Sequence, residues 1–182
     1  MKLPTTMAPK RRRPSLPALG KIDLGKPVEE LPQLKVPPHL ELEPQLLKPV
    51  IPGLFIGPVG ETNPDTLRLN NINTVITVMH YRPEIPEGIE HHYFELEDQA
   101  DVPIQSIFEE SGEIIHTALE SGRNVLVHCY AGKSRSATTI MAFLMTRRGK
   151  TFEEAGALVG QARDVEINMG FLMTLKALAP QE

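Results

Sequence analysis

The chain has 182 residues and a formal net charge of −4. This length suffices for one modest domain with a hydrophobic core, plus an extension. The single cysteine excludes an intramolecular disulfide, which favours a reducing compartment. The sequence has no apolar run long enough to cross a membrane and no signal-peptide pattern, so it predicts a soluble protein.

The first fifty residues differ in composition from the rest of the chain. They carry 9 lysines and arginines against 5 acidic residues, a balance of +4, which leaves −8 on the remainder. Residues 1–49 are rich in proline and lack hydrophobic periodicity, so we expect a largely disordered basic extension. Residues 50–180 are expected to form the folded domain. Its acidity argues against nucleic acid or an anionic membrane as the main partner.

Within the domain, short apolar runs alternate with helical patterns. A turn and a short strand are expected at residues 51–57, and further strands at 72–78, 91–96 and 125–127. Helices are expected from Asn63 onward and at 103–121, 137–148, 151–163 and 170–179. The pair His91 and His92 lacks the carboxylate spacing of a metal site and is interpreted as ordinary strand residues. Alternating strands and helices predict an α/β sandwich with a mostly parallel central sheet flanked by helices.

One nine-residue stretch carries the chemistry of the chain. It consists of His128, Cys129, Tyr130, Ala131, Gly132, Lys133, Ser134, Arg135 and Ser136. An apolar run precedes it and an apolar-periodic run follows from Ala137, so the stretch is expected to join a buried strand to a buried helix. Such a turn points backbone N–H groups and the positive end of a helix dipole at one spot, which suits an anion.

The residue types of this turn fit a nucleophile in an anion cradle. The N–H groups and the dipole would stabilise the thiolate of Cys129. Arg135 offers a planar fork that matches two phosphate oxygens, and Ser136 can donate a hydroxyl proton to the thiolate. Gly132 allows a backbone conformation that other residues resist. The stretch therefore predicts attack by Cys129 on a bound tetrahedral dianion.

The stretch resembles the phosphate-binding signature of the cysteine-based phosphatases, in which a cysteine, five residues, an arginine and a serine or threonine follow one another. Its interior is similar to the dual specificity branch, which includes the MAP-kinase phosphatases, and the resemblance covers residues 50–179. It implies a phosphotyrosine-phosphatase-like sandwich and a cysteinyl-phosphate intermediate, without metal or other cofactor. The implied phosphate-binding residues are Tyr130, Ala131, Gly132, Lys133, Ser134 and Arg135.

A carboxylic acid should protonate the leaving oxygen. The available carboxylates after the third predicted strand are Glu95, Glu97, Asp98 and Asp101. In the resembled family, an aspartate about thirty residues before the cysteine has this role, and Asp98 lies at that distance. Position alone favours Asp98 and leaves Asp101 as the rival.

The sequence pattern is less specific about the roles of four further residues. His128 is expected to orient the loop through hydrogen bonds, and a plain buried histidine is the open alternative. Asn168 lies in a run similar to the family's "Pro-Asn-x-Gly-Phe", which implies that it braces the loop. Lys133 is the only basic residue inside the loop, and Tyr130 occupies the other rim position. Lipid phosphatases of the resembled superfamily often carry two basic residues in this loop, so the resemblance leaves a phosphoinositide possible but less favoured than a phosphoprotein.

The basic extension contains a cluster at Lys10 to Arg13, followed by apolar residues up to Leu19. The segment from Lys10 to Leu19 resembles the docking peptides with which MAP-kinase partners engage their kinase. A nuclear-import signal and a solvated charge run are the alternatives. Phosphorylation of Ser15 would oppose docking or import by adding negative charge to the cluster.

The resemblance implies a cytoplasmic or nuclear protein phosphatase in signalling, with a shallow pocket for phosphoserine, phosphothreonine and phosphotyrosine, and with a MAP kinase as one possible substrate. The alternatives are a phosphatase of a phosphoinositide, a phosphoglucan or an RNA 5′-phosphate, and a pseudophosphatase that binds phosphoproteins without turnover.

Overall fold

A five-stranded sheet forms the centre of the domain. The computed structural model describes residues 43–179. The strands are β1 (Pro49–Ile51), β2 (Leu54–Pro58), β3 (Ile72–Met79), β4 (Glu90–Glu95) and β5 (Asn124–Cys129). Their order across the sheet is β1-β2-β5-β3-β4, and every neighbouring pair is parallel except β1 with β2. The predicted mostly parallel sheet is therefore confirmed, and β5 lies at its middle.

Within residues 43–179, five α-helices flank this sheet. They are α1 (Pro64–Leu69), α2 (Phe108–Glu120), α3 (Arg135–Arg148), α4 (Phe152–Ala162) and α5 (Met169–Leu178). The Asn63 side chain caps α1 by accepting from the Thr66 amide, and Thr151 and Glu154 form the capping box of α4. The helix that was expected to begin at Pro103 instead starts with a 3₁₀ turn at Ile104–Ile107, where the Ser106 amide donates to the Pro103 carbonyl.

The two faces of the sheet bury different clusters. The larger cluster joins α2, α3, α4 and α5 to side chains such as Leu54, Ile76 and Val127. The smaller cluster joins α1 to Phe55, Val75 and Leu126 on the opposite face. Because side chains alternate along a strand, each inner strand serves both clusters, and the carboxyl end of β5 is fixed from both sides.

Residues 43–48 run along α1 before the first strand. The Leu47 amide donates to Asn70 Oδ1 at 2.8 Å, and Asn70 Nδ2 donates to the Gln45 carbonyl at 2.7 Å. The Leu47 side chain is buried in the smaller cluster, although it precedes the domain start expected near Val50. Residues 1–42 of the predicted extension, with its basic cluster, lie outside the described residues.

Candidate active site

The segment from Cys129, the last residue of β5, to Arg135, the first residue of α3, is called the cysteine loop below. Gly132 has a positive φ of 68° and lies against β2, so that a Cβ atom there would come within 2.5 Å of the Gly57 backbone. No L side chain fits this approach, which explains why glycine occurs at position 132. The close packing of Gly132 on β2 thus holds the cysteine loop in a tight turn at the carboxyl end of β5.

The carbonyl groups of the cysteine loop are held from outside. The Tyr130 carbonyl accepts from the Val59 amide at 3.2 Å, and the Lys133 carbonyl accepts from the Glu166 amide at 3.2 Å. The Ser134 carbonyl accepts from the Thr138 amide and hydroxyl. A trans peptide unit points its carbonyl and its N–H to opposite sides, so the amides that follow these carbonyls, those of Ala131, Ser134 and Arg135, lie on the side away from these contacts. Amides left free in this way suit an anion, which is what the sequence predicts for the loop.

Cys129 is buried at the floor of this space. Its Sγ lies 3.3 Å from Ser136 Oγ. Burial raises the pKa of the Cys129 thiol, but hydrogen bonds from the Ser136 hydroxyl and amide, the charge of Arg135 and the Gly132 amide outweigh it, so the net pKa is lowered. The environment favours a thiolate, which is the nucleophilic form.

Arg135 is buried at the start of α3, where the cysteine loop ends. Its Nη1 donates to the Leu96 carbonyl at 3.0 Å, and its Nε faces Asp98 Oδ2 at 3.6 Å. These contacts fix the plane of the guanidinium group on the side of β4. The remaining N–H groups can bind two oxygens of a dianion above Cys129.

Asp98 contacts the same assembly. Its Oδ1 accepts from Ser134 Oγ and from Asn168 Nδ2, both at 2.7 Å. Asn168 also caps α5, because its side chain accepts from the Phe171 amide at 3.0 Å. Asp101 is exposed, and within residues 43–179 no hydrogen bond or ion pair joins it to the cysteine loop. Of the two rival acids, Asp98 is the one beside Arg135.

The start of α5 supports the segment that carries Asp98, residues 97–101, called the acid loop below. Gly170 packs so closely on this loop that a Cβ atom there would lie 1.8 Å from the Ala100 carbonyl oxygen. Together with the Asn168 contact, this packing couples the position of Asp98 to α5. The resemblance implied that Asn168 braces the cysteine loop. In the structure its side chain contacts Asp98, and its backbone amide donates to Ser134 Oγ at 3.4 Å.

The rim of the site carries charges of both signs. Lys133 Nζ lies 3.9 Å from Asp164 and 4.0 Å from Glu166, and both carboxylates are largely exposed. Tyr130 is also exposed, as expected for a rim position. The positive charge of Lys133, at the rim of the cysteine loop, is thus partly neutralised by these two carboxylates.

A second ion pair supports the cysteine loop and was not expected from the sequence. Arg163 Nη1 lies 3.2 Å from Glu61 Oε1, and Arg163 Nη2 donates to the Ala131 carbonyl at 3.4 Å. Burial raises the pKa of Glu61, although the charge and hydrogen bond of Arg163 oppose this shift. The two residues are 102 positions apart, so no local pattern could have paired them.

His128 is fully buried and precedes the nucleophile. Burial lowers its pKa to about 4, with His91 adding to the effect and the Cys129 backbone opposing it, so the ring is neutral at physiological pH. Because the unfolded histidine takes up a proton more readily, stability should fall as pH drops below the ordinary histidine range.

Within the described part of the chain, no group of three or more His, Cys, Asp or Glu side chains could hold a metal ion.

Known proteins resemble this chain both in sequence and in structure. The family model "Dual specificity phosphatase, catalytic domain" matches residues 54–181. The chain belongs to the dual specificity phosphatase family. It is 38% identical over 127 residues to dual specificity protein phosphatase 1B of Arabidopsis thaliana, covering 68% of this chain and 76% of that protein. Membership of this family supports protein phosphatase activity.

Solved structures agree with this assignment. The crystal structure of DUSP15 matches with a TM-score of 0.68 and 29% identity, covering 72% of this chain and 85% of the other. A human tyrosine phosphatase-like serine/threonine/tyrosine-interacting protein matches with a TM-score of 0.68 and 27% identity, over 72% of this chain and 93% of the other. The phosphatase-like sandwich expected from the sequence is therefore confirmed. Among residues 43–179, no helix is long and apolar enough to span a membrane.

We expect Ser136→Ala to weaken the thiolate. The variant loses a hydrogen bond to a charged group, worth about 1.5–3 kcal/mol, so turnover should fall roughly ten- to a hundredfold. The pKa of Cys129 should rise, which slows alkylation by iodoacetamide at mildly acidic pH and leaves the alkaline rate near that of the wild type. Urea-unfolded samples of both proteins serve as the control and should react alike. An unshifted alkylation profile would contradict this role for Ser136.

We expect Gly170→Ala to displace the acid loop. The added methyl group cannot fit against Ala100, and a shift of about 1 Å in a catalytic group can cost up to roughly a hundredfold in rate. Hydrolysis of a phosphopeptide should therefore fall, while the protein remains folded by circular dichroism. The matched control is Gly160→Ala, since Gly160 is also helical and no atom lies within 4 Å of its added Cβ. Equal activities of the two variants would contradict the coupling of α5 to Asp98.

Proposed function

We propose that this chain dephosphorylates phosphoserine, phosphothreonine and phosphotyrosine in proteins through a phosphocysteine at Cys129. The contact between Cys129 and Ser136, beneath the inward amides and Arg135, is the observation that carries the proposal. In the first step the Cys129 thiolate attacks phosphorus in line with the leaving oxygen. Arg135 and the amides from Tyr130 to Arg135 bind the three other oxygens.

Asp98 supplies the proton that the leaving oxygen needs. Ser134 and Asn168 both donate to Oδ1, whereas Oδ2 accepts no hydrogen bond within the described residues and faces Arg135 Nε at 3.6 Å. In the proposed reaction, Oδ2 carries the acidic proton. In the second step, Asp98 takes a proton from water as the water attacks the phosphocysteine. The bond between sulfur and phosphorus breaks, and the hydrogen bond from Ser136 stabilises the departing thiolate.

The charges at the rim favour a phosphoprotein over a phosphoinositide. A lipid headgroup with several phosphates would bring additional anions to Lys133, where Asp164 and Glu166 already lie. The repulsion should raise the cost of binding such a headgroup, whereas a phosphorylated side chain in a peptide brings one dianion. A neutral or basic peptide is not repelled by the carboxylates of Asp164 and Glu166.

A substrate panel tests this proposal. The purified protein would be given phosphotyrosine, phosphothreonine and phosphoserine peptides and a soluble phosphoinositide, with reductant and a metal chelator present. We expect turnover of the peptides and a phosphorylated Cys129 peptide in acid-quenched samples by mass spectrometry. The double variant Asp164→Asn, Glu166→Gln should increase phosphoinositide hydrolysis relative to peptide hydrolysis. Turnover of the lipid alone would contradict the proposal.

One observation favours a second candidate, a binding protein without turnover. A structural neighbour is named a phosphatase-like interacting protein. The catalytic side chains of this chain are all present, which supports the enzyme instead. Stable binding of phosphopeptides by the wild type, with no phosphate released from any of them, would favour the second candidate.

We further propose that the substrate is a MAP kinase recruited by Lys10 to Leu19, in the cytoplasm or nucleus. This segment lies outside the described residues, and the argument is its basic-then-apolar pattern. Deletion of residues 1–20 should weaken binding to the kinase in a pull-down and leave hydrolysis of a small aryl phosphate unchanged. Unchanged kinase binding would remove the docking proposal.

A further inference from the structure

The side chain of Arg163, directly after α4, contacts one carbonyl group of the cysteine loop. Its Nη2 donates to the Ala131 carbonyl at 3.4 Å, while its Nη1 lies 3.2 Å from Glu61 Oε1. The guanidinium group therefore joins the turn after β2 to the cysteine loop through two different nitrogens. Such a planar fork is a property of arginine, whereas lysine offers a single point charge.

Glu61 gives this guanidinium group a fixed position relative to the cysteine loop. The Glu61 side chain is only 16% exposed, and a Cβ atom added at Gly57 would overlap its Oε2, so the carboxylate fills the space beside that glycine. The cysteine loop packs on the same glycine, because a Cβ atom at Gly132 would come within 2.5 Å of the Gly57 backbone. The carboxylate and the loop are thus held against one short backbone segment.

The carbonyl that Arg163 contacts belongs to the peptide unit between Ala131 and Gly132. Within residues 43–179 every peptide bond is trans, so the Gly132 N–H points to the side opposite that carbonyl, away from Arg163. This amide is one of the groups that lower the pKa of the Cys129 thiol. The outward carbonyl and the N–H that serves the nucleophile are therefore two ends of one rigid unit.

Gly132 does not by itself determine how this peptide unit is turned. Glycine adopts positive and negative φ with similar ease, and two common turn types differ by a flip of their central peptide unit. A flip between Ala131 and Gly132 would point the carbonyl at the space above Cys129 and the N–H outward. A loop flipped in this way would repel a dianion, so a contact that holds the carbonyl outward favours the binding-competent loop.

We propose that Glu61 and Arg163 are positioning residues, which together hold the peptide unit between Ala131 and Gly132 with its carbonyl outward and its N–H toward the nucleophile. The proposal rests on the proposed reaction at Cys129. Arg163 attracts the negative end of the carbonyl dipole, and Glu61 keeps the guanidinium group from turning into solvent. Both residues act through this peptide unit and not by contact with the substrate.

Arg148 provides a matched control for substitution of Arg163. Its Nη2 lies 3.3 Å from Glu120 Oε1, and its side chain is 33% exposed, against 27% for Arg163. This second pair joins the ends of α2 and α3, and within residues 43–179 no hydrogen bond or ion pair joins Arg148 to the cysteine loop. Arg163→Met and Arg148→Met therefore each remove one guanidinium group and one ion pair, but only the first releases a carbonyl of the loop.

The experiment combines an NMR titration with inorganic phosphate, alkylation of Cys129 and kinetics on a phosphopeptide. Phosphate and substrate both select the unflipped loop, so Arg163→Met should raise the dissociation constant of phosphate and lower kcat/KM by a similar factor, roughly three- to tenfold. The change in kcat should be smaller, because bound substrate itself favours the unflipped loop. The pKa of the Cys129 thiol should rise, which moves the profile of iodoacetamide alkylation to higher pH, and Arg148→Met should change none of these quantities.

Two further variants test whether the ion pair acts as a unit. Arg163→Lys keeps the positive charge and should recover part of the phosphate affinity that Arg163→Met loses. Glu61→Gln alone should weaken phosphate binding, but in the Arg163→Met background it should have little further effect, since its partner is already absent. Thermal unfolding of each variant shows whether the fold is retained.

Three outcomes overturn the inference. The first is an Arg163→Met variant with the phosphate affinity and alkylation profile of the wild type, the second is an equal loss in Arg148→Met, and the third is full additivity of Glu61→Gln with Arg163→Met. Failure of the proposed function gives a different result, namely a wild type that is inert on every phosphorylated substrate. In that case the phosphate titration and the alkylation profile still decide whether the ion pair holds the peptide unit.

Discussion

Cys129→Ser should abolish hydrolysis of phosphopeptides and of small aryl phosphates, with a loss of about 10⁴-fold or more, as removal of a nucleophile does in other enzymes. A serine hydroxyl is a much weaker acid than the Cys129 thiol, whose pKa is lowered by its hydrogen bonds and by the charge of Arg135. The inward amides and Arg135 are unchanged by the substitution. The variant should therefore still bind a phosphopeptide, which isothermal titration calorimetry can measure.

Two controls make this result specific. Arg135→Lys keeps the positive charge but loses the planar fork, and it should weaken both binding and turnover. Thermal unfolding of each variant should remain cooperative, since a collapsed fold would also abolish activity. Residual turnover of Cys129→Ser above a few per cent of the wild type would place the nucleophile elsewhere.

Asp98→Ala should slow hydrolysis by an amount that depends on the leaving group. A phosphoserine peptide has a poor leaving group and should lose about 10²–10³-fold, within the range of general acid catalysis. A nitrophenyl phosphate leaves readily without a proton and should lose far less. Rates measured for a series of aryl phosphates should show a steeper dependence on leaving-group pKa in the variant than in the wild type.

The matched variant is Asp101→Ala, which removes the same group three residues away. Asp101 is exposed and has no described contact with the cysteine loop, so its loss should change the rate by less than about twofold. A larger loss for Asp101→Ala than for Asp98→Ala would reverse the assignment of the acid. Equal small losses in both would indicate that another group protonates the leaving oxygen.

Features that are contiguous in the chain were predictable from the sequence. The cysteine loop is one run between a buried strand and a buried helix, so its position between β5 and α3 follows from hydrophobic pattern alone. The caps of α1 and α4 depend on residues three positions apart, and they too were predictable. The choice of Asp98 over Asp101 rested on distance along the chain and stays a prediction, which the contacts of Asp98 with Ser134 and Asn168 support.

Features that depend on tertiary pairing were not predictable. Glu61 and Arg163 come together only because the 3₁₀ turn after β2, at Val59–Thr62, and the end of α4 both lie beside the cysteine loop. His91 lies on β4 as expected, but the 2.9 Å contact of its Nε2 with Thr77 Oγ1 on β3 was not predictable, since a single sequence does not give the register. The close approach of Gly170 to Ala100 is likewise a contact between distant backbone segments.

The outward carbonyls of the cysteine loop have a consequence for inhibitor selectivity. A loop whose shape is already set binds any tetrahedral dianion of the right size, whatever group is attached to it, and it does so with little ordering cost. Phosphate itself, as well as vanadate and tungstate, should thus compete with substrate but hardly distinguish this enzyme from its relatives. A ligand that makes the distinction must extend beyond the loop, toward the exposed side chains of Tyr130 and Met169.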